Sequence, residues 1–346
     1  MEIRPKSFLY TRDESKVLFI ICLILSIFCM PQLSFSQTTD RSSGITNRAQ
    51  ELANSLTASN FEYPWKVEVF DLPISSNSVA YRVYVRLPIG PLNEGEKPSS
   101  FYFLDPLALF TPAAAMSYNY EFLRYVPPAY FIGIGYQDEA DGRWKEENRT
   151  RDYTPTTFAP PNDQHFLAAN PVDYENSGGA DAFLDVVQDE IIPFIEARYE
   201  VDEQDRVLIG KSVSGLAAAH ALLTRPGMFN RYLIISPAIW WDDFTYPRMD
   251  RSIMRTAEST RDTVYPFETR AYFAVGEEEE RMSLVTDLHV LFNSIQRRFS
   301  PKLKVNLEVL PGEMHEGVFP GAFMKGIIGV YADDEKGRQS ASALKW

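Results

Sequence analysis

Apolar residues gather in eight short β-rich runs from position 65 onward. These are WKVEVF (65–70), AYRVYVRLP (80–88), FYFLD (101–105), YFIGIGY (130–136), RVLIG (206–210), YLIISP (232–237), AYFAVG (271–276) and KVNLEVLP (304–311). The first two are expected to pair antiparallel, because the intervening DLPISSNS is short and turn-like. The later runs are nearly continuous in apolar residues, as strands covered on both faces should be. Helical periodicity separates them. Phe183, Leu184, Val187, Ile191 and Ile195 share one stripe over 181–199, with a kink expected at Pro193. Leu216 to Leu223 predicts a small-residue helix, and Leu284, Leu288, Leu291 and Ile295 predict another over 281–298. This alternation predicts a mostly parallel sheet with helices on its faces. Residues 137–180 break the rhythm. Rich in Asp, Asn, Pro and Arg, they are expected to form a binding loop.

The N-terminus follows a different pattern. Arg4, Lys6, Arg12 and Lys16 precede the apolar run VLFIICLILSIFCM (17–30), and small residues follow at Ser34 and Ser36. This is the layout of a secretory signal. The fourteen residues of this run would span only about 21 Å as a helix, short for a bilayer. Cleavage is expected after Ser36, giving residues 1–36 as a signal peptide, 37–60 as a polar linker, 61–332 as the folded domain and 333–346 as a tail. The location expected is periplasmic or extracellular, with no stable membrane association after cleavage. Cys22 and Cys29, the 2 cysteines of the chain, lie in this leader, so the mature protein would carry neither disulfide nor cysteine metal site. The whole chain has a net charge of −13, which makes nucleic acid a poor partner. No cofactor and no metal are expected.

Chemistry concentrates in RVLIGKSVSGLAAAHALLTRP (206–226). Gly210-Lys211-Ser212 resembles the end of a phosphate-binding loop, but that motif requires glycine where Asp205 stands, and here an apolar strand runs straight into Gly210. The alternative is a G-x-S-x-G nucleophile elbow whose last glycine is Ser214. A strand ends, the chain turns sharply at Ser212 and a helix begins, with small residues two before and two after the serine. With Ser214 as nucleophile, Leu216 would crowd the turn, so Ser212 is the candidate. A serine needs a base. Of the 4 histidines, His220 lies two turns into the next helix and His289 among leucines; His165 lies in the long region. His315, in LPGEMHEGVF after the last strand, falls on the same sheet edge as Ser212 and is the expected base. The acid that orients it is expected after the seventh strand, in VGEEEE. Glu277 to Glu280 are all candidates and Glu279 is preferred; Asp242, Asp243 and a Ser-His dyad remain as alternatives.

With these residues in hand, the chain resembles the α/β-hydrolase superfamily, and within it the esterase family that includes the ferric siderophore esterases. The resemblance is carried by FYFLDPLALF, IGIGY, NRTRDYTPT, the stretch SGGADAFLDVVQDEIIPFIEARYEVD, GKSVSGLAAAHALLTRPGMFNRYLIISPAIWW, YFAVGEEEE and GEMHEGVFPGAF, over roughly 60–332. It implies an α/β-hydrolase fold, an eight-stranded mostly parallel sheet with helices on both faces. It also implies a serine carboxylic-ester hydrolase acting on a small-molecule ester, which could be iron-loaded. A siderophore trilactone is the first choice of substrate, and feruloyl or acetyl esters of polysaccharide are the alternative. The oxyanion would be held by the Val213 amide and a second amide after the third strand. Pro106, standing where the family commonly has glycine, lacks an N–H, so Leu107 is the expected donor. Arg149 and Arg151 are expected either to hold substrate oxygens or to pair with Asp152 or an acid of KEE (145–147); Trp240 and Trp241 either line a pocket or pack in the core. Lys211, Ser214 and Pro106 depart from the family pattern, which keeps a non-catalytic binding protein of the same fold as the rival reading.

Overall fold

A computed structural model describes residues 65–89, 92–143, 145–158, 174–241, 252–297 and 301–332. The leader, the linker to Asn60, His165, Asp242, Asp243 and the tail 333–346 lie outside the described residues. All eight apolar runs form strands: β1 (Val67–Asp71), β2 (Tyr81–Arg86), β3 (Ser99–Phe103), β4 (Ala129–Tyr136), β5 (Arg206–Lys211), β6 (Arg231–Ile235), β7 (Thr269–Gly276) and β8 (Leu303–Leu310). They build one sheet in the order β1-β2-β4-β3-β5-β6-β7-β8. β2 runs antiparallel to both its neighbours, and every other pairing from β4 to β8 is parallel. The third strand ends at Phe103, two residues earlier than its apolar run suggests. The reason is local: Asp105 takes left-handed dihedrals (φ 52°, ψ 56°) that no strand can continue.

Helices cover both faces. They are α1 (Pro106–Phe122), α2 (Glu146–Tyr153), α3 (Ala180–Val186), α4 (Ile192–Arg198), α5 (Val213–Thr224), α6 (Ser252–Ser259), α7 (Leu284–Gln296) and α8 (Val318–Tyr331). The two-residue period of the strands sorts the core into two layers. Phe101, Phe103, Val207, Ile209, Leu233 and Ile235 pack beneath α1 and α8. Tyr102, Leu208, Tyr232, Ile234 and Phe273 pack on the other side with α3, α5 and α7. The kink expected at Pro193 appears as a π-helical turn, Val187–Ile191, between α3 and α4, which frees the i−4 carbonyl that proline cannot bond.

The region 137–180 corrects the expectation of an irregular loop, since its middle forms α2. This helix has no apolar stripe to betray it. Its buried residues are Asn148, Arg149, Thr150, Asp152 and Tyr153; Tyr153 alone of these packs in the hydrophobic core, and ion pairs of Arg149, Arg151 and Asp152 hold the remainder.

Polar groups also knit the sheet from within. Arg86 and Glu121, both wholly buried, form an ion pair with the guanidinium stacked 3.8 Å from the centre of the Phe131 ring. At the N-terminal edge of the strands, Asp205 accepts hydrogen bonds from Ser99, from Arg231 (2.7 Å) and from the Tyr331 hydroxyl (3.2 Å). Arg231 also donates to the Val330 carbonyl at 2.5 Å, and Arg270 donates to that of Ala332, so the foot of α8 is tied to β5, β6 and β7. Among the described residues no helix is long and apolar enough to cross a membrane.

Candidate active site

The C-terminal edge of the parallel strands gathers the candidate residues. Backbone conformation marks the place first. Of the 6 described non-glycine residues with positive φ, three follow adjacent strands at this edge: Asp105 after β3, Ser212 after β5 and Ser236 after β6. Side chains rarely occupy such dihedrals, and their clustering is typical of functional sites. Ser212 is the sharpest case, at φ 61° and ψ −122°. Its amide donates to the Ile235 carbonyl, and its own carbonyl accepts from Leu216 and Ala238. The strained turn is therefore held from both sides.

The small residues around Ser212 have measurable reasons. A Cβ on Gly210 would lie 2.2 Å from the Ser214 carbonyl oxygen, far inside contact distance, so only glycine lets β5 meet α5 so closely. Ser214, fully buried, uses its hydroxyl to close the elbow: it accepts from the Lys211 amide at 3.0 Å and donates to the Lys211 carbonyl at 2.8 Å. A glycine there could make neither bond. The hydroxyl so engaged is not available as a nucleophile.

The turn after β7 has an equally tight origin. A Cβ on Gly276 would approach the Glu313 carbonyl to 2.3 Å, so glycine allows the β8 turn to close over the end of β7. The Glu278 amide then donates to that carbonyl at 3.1 Å. Across this junction His315 Nδ1 lies 2.6 Å from Glu279 Oε2. The other oxygen, Oε1, accepts from the Ser236 hydroxyl at 2.6 Å and the Gly276 amide at 2.7 Å. Glu279 is 1% exposed. Burial alone would push its carboxyl up, but the bonds from His315, Ser236 and Gly276 prevail and hold it below the usual carboxylate value. A carboxylate so bound fixes the imidazole with Nδ1 protonated, leaving Nε2 to accept.

Val213 opens α5 and Leu107 is the second residue of α1. Amides in the first turn of a helix have no intrahelical acceptor, so both point outward from helix N-termini at this edge. A small cleft here is lined by Asp105, Pro106, Leu107, Tyr136, Glu139 and Tyr153. Arg149 reaches Asp105 with two nitrogens, at 2.8 and 3.1 Å, and Glu146 with a third, at 2.9 Å. Arg151 grips Asp152 through two nitrogens, at 2.7 and 3.0 Å, and reaches Asn148 at 3.1 Å. Of the two expectations for these arginines, the structure thus displays the internal pairing. Trp241 is 4% exposed, donates its indole N–H to the Thr156 carbonyl at 3.0 Å and packs 5.3 Å from the Phe158 ring. His220 is buried against Asp181, and His289 is bonded within its own helix, so neither reaches this edge.

Two residues that sequence reasoning did not single out now belong to the site. Ser236 steadies Glu279, and Asp105 links the turn after β3 to α2. A signal for both was present, a polar residue directly closing an apolar strand at the C-terminal edge. Replacing Arg149 by Met would strand the buried Asp105 carboxylate. The expected cost is about 3–5 kcal/mol of unfolding free energy, read from chemical denaturation; a loss below about 1 kcal/mol would mean that Asp105 is satisfied without the arginine.

The strand order, the strained serine at the β5–α5 turn and the helices on both faces define an α/β-hydrolase fold. The family described as "Putative esterase" matches residues 76–321. The chain belongs to that family. A siderophore triacetylfusarinine C esterase of Aspergillus fumigatus is 32% identical over 168 residues, 46% of this chain and 51% of that protein. The alignment thus spans about half the length of that relative. The ferri-bacillibactin esterase BesA of Bacillus subtilis is 26% identical over 231 residues, 65% of this chain and 73% of that protein. Among solved structures, the BES protein from Bacillus cereus superposes with a TM-score of 0.65 at 25% identity, covering 80% of this chain and 98% of that one.

Proposed function

We propose that this protein is an exported serine esterase that hydrolyses carboxylic esters through an acyl-enzyme on Ser212. The observation that carries the reading is the strained Ser212 at the head of α5, on the same sheet edge as the Glu279–His315 pair. In the proposed reaction His315 Nε2 takes the proton of Ser212 Oγ as the oxygen attacks the ester carbonyl. The tetrahedral oxyanion accepts from the Val213 and Leu107 amides. The imidazolium, stabilised by Glu279, returns the proton to the departing alkoxide, and the acyl group remains on Ser212. Water then attacks, giving up its proton to His315, and the acid product leaves with the serine restored.

For the substrate, relatives of A. fumigatus and B. subtilis described as siderophore esterases favour a siderophore lactone over feruloyl or acetyl esters of polysaccharide. The leader favours export. The test of the reading is labelling of the purified protein with a fluorophosphonate, followed by peptide mapping. One adduct on the peptide carrying Ser212 is expected. A protein left unlabelled would be a binding protein on a hydrolase scaffold. Hydrolysis of a ferric triscatecholate trilactone, compared with a feruloylated sugar, separates the substrates.

A further inference from the structure

Lys211 is the residue at this edge that the mechanism does not use. It ends β5 immediately before Ser212 and is half-buried. Strand alternation directs it to the side of Ile209, where α1 and α8 lie, with Gly210 between them. The charged groups that act on it come from the walls of the site: Glu279 after β7, Glu316 before α8, Arg149 on α2 and Asp105 before α1.

Those carboxylates are largely committed elsewhere. Both oxygens of Asp105 are taken by Arg149. Both oxygens of Glu279 are taken by His315, Ser236 and the Gly276 amide. Glu316 is exposed to solvent. Among the described residues Lys211 Nζ has neither a hydrogen bond nor an ion pair. A partly desolvated ammonium without a protein acceptor is costly to hold, and burial lowers its proton affinity. Its cost is offset when an anionic acceptor arrives. The surroundings make such an acceptor dependent on this group, because the chain carries a net charge of −13 and Glu277 to Glu280 flank the site. Without a local cation an anionic substrate would be repelled.

We propose that Lys211 is a specificity-determining residue that receives an anionic oxygen, carboxylate or phenolate, on the acyl half of the ester bound at Ser212. The proposal rests on the esterase reading above and deepens it. The acyl half is the part that stays bonded to Ser212 between the two steps, and Lys211 is the neighbour of that serine in the chain.

The test compares two p-nitrophenyl esters of equal chain length, the mono-ester of adipic acid and the hexanoate, on the wild type, Lys211→Met and Lys211→Arg. The ratio of kcat/KM for the charged to the neutral ester is independent of the fraction of protein folded. It is expected to fall about tenfold or more in Lys211→Met, mainly through KM, and to be largely restored in Lys211→Arg. A ratio within about twofold of wild type in Lys211→Met overturns the proposal. If the wild type hydrolyses neither ester, the esterase reading fails by itself. Equilibrium dialysis of the same two esters then decides for Lys211: tighter binding of the charged ester that is lost in Lys211→Met supports it, and equal binding overturns it.

Discussion

Ser212→Ala is expected to reduce kcat for p-nitrophenyl ester hydrolysis by about 10⁶-fold, the scale on which removal of an activated serine acts in a serine protease. The variant is a clean one. Alanine keeps the Cβ, so the strain of φ 61° is unchanged, and Ser212 makes no side-chain cap to α5 that could be lost. Stability should therefore stay within about 0.5 kcal/mol of wild type, as for substitutions that remove no packing. Ser214 cannot take over, since its hydroxyl is fully buried and bonded at both ends to the Lys211 backbone. Wild-type turnover by the purified variant, with fluorophosphonate labelling elsewhere, would remove Ser212 from the chemistry.

Glu279→Gln is expected to lower kcat by about 10³–10⁴-fold, comparable to neutralising the acid of a protease triad. The direction follows from the three bonds on the carboxylate. Ser236 and the Gly276 amide both donate to Oε1, so the amide oxygen of glutamine must take that place. Its NH₂ group then faces His315 Nδ1, which has to accept. The ring proton moves to Nε2, and the nitrogen proposed to deprotonate Ser212 carries a proton already. Labelling by fluorophosphonate should slow in parallel, while the fold survives. A fall of less than about tenfold would favour a Ser-His dyad with the glutamate only as scaffold. The same carboxylate contributes to stability with a defined sign. Its proton affinity is depressed in the fold, so its contribution is full above the ordinary carboxylate range and is lost as pH falls below about 4.3. Glu279→Gln should flatten that part of the acid unfolding curve.

The sheet could be read from the chain because parallel strands covered on both faces are written as uninterrupted apolar runs. The candidate site was legible wherever geometry imposes composition: Gly210 and Ser214 around a tight turn, Gly276 beneath a crossing loop. Glu279 emerged from its distance along the turn after β7. What escaped was held by contacts between residues far apart in sequence. Arg149 reaches Asp105 over 44 positions and Ser236 reaches Glu279 over 43, and no local pattern encodes either. α2 escaped because its inward face is polar apart from Tyr153, so hydrophobic periodicity had almost nothing to register. α1, with Pro106 opening it and Pro112 inside it, carries residues that ordinarily argue against a helix.

Asp205, whose carboxylate excluded a phosphate loop, ties the last turn of α8 to the far edge of the sheet. The turn bearing His315 leads directly into the first residue of the same helix. α8 is 14 residues long, so the anchor and the imidazole stand about 20 Å apart on one stiff rod. The rod makes the two ends a single mechanical element. Drift in the sequence at the anchor, among Asp205, Arg231 and Tyr331, would be felt as a displaced imidazole at the other end.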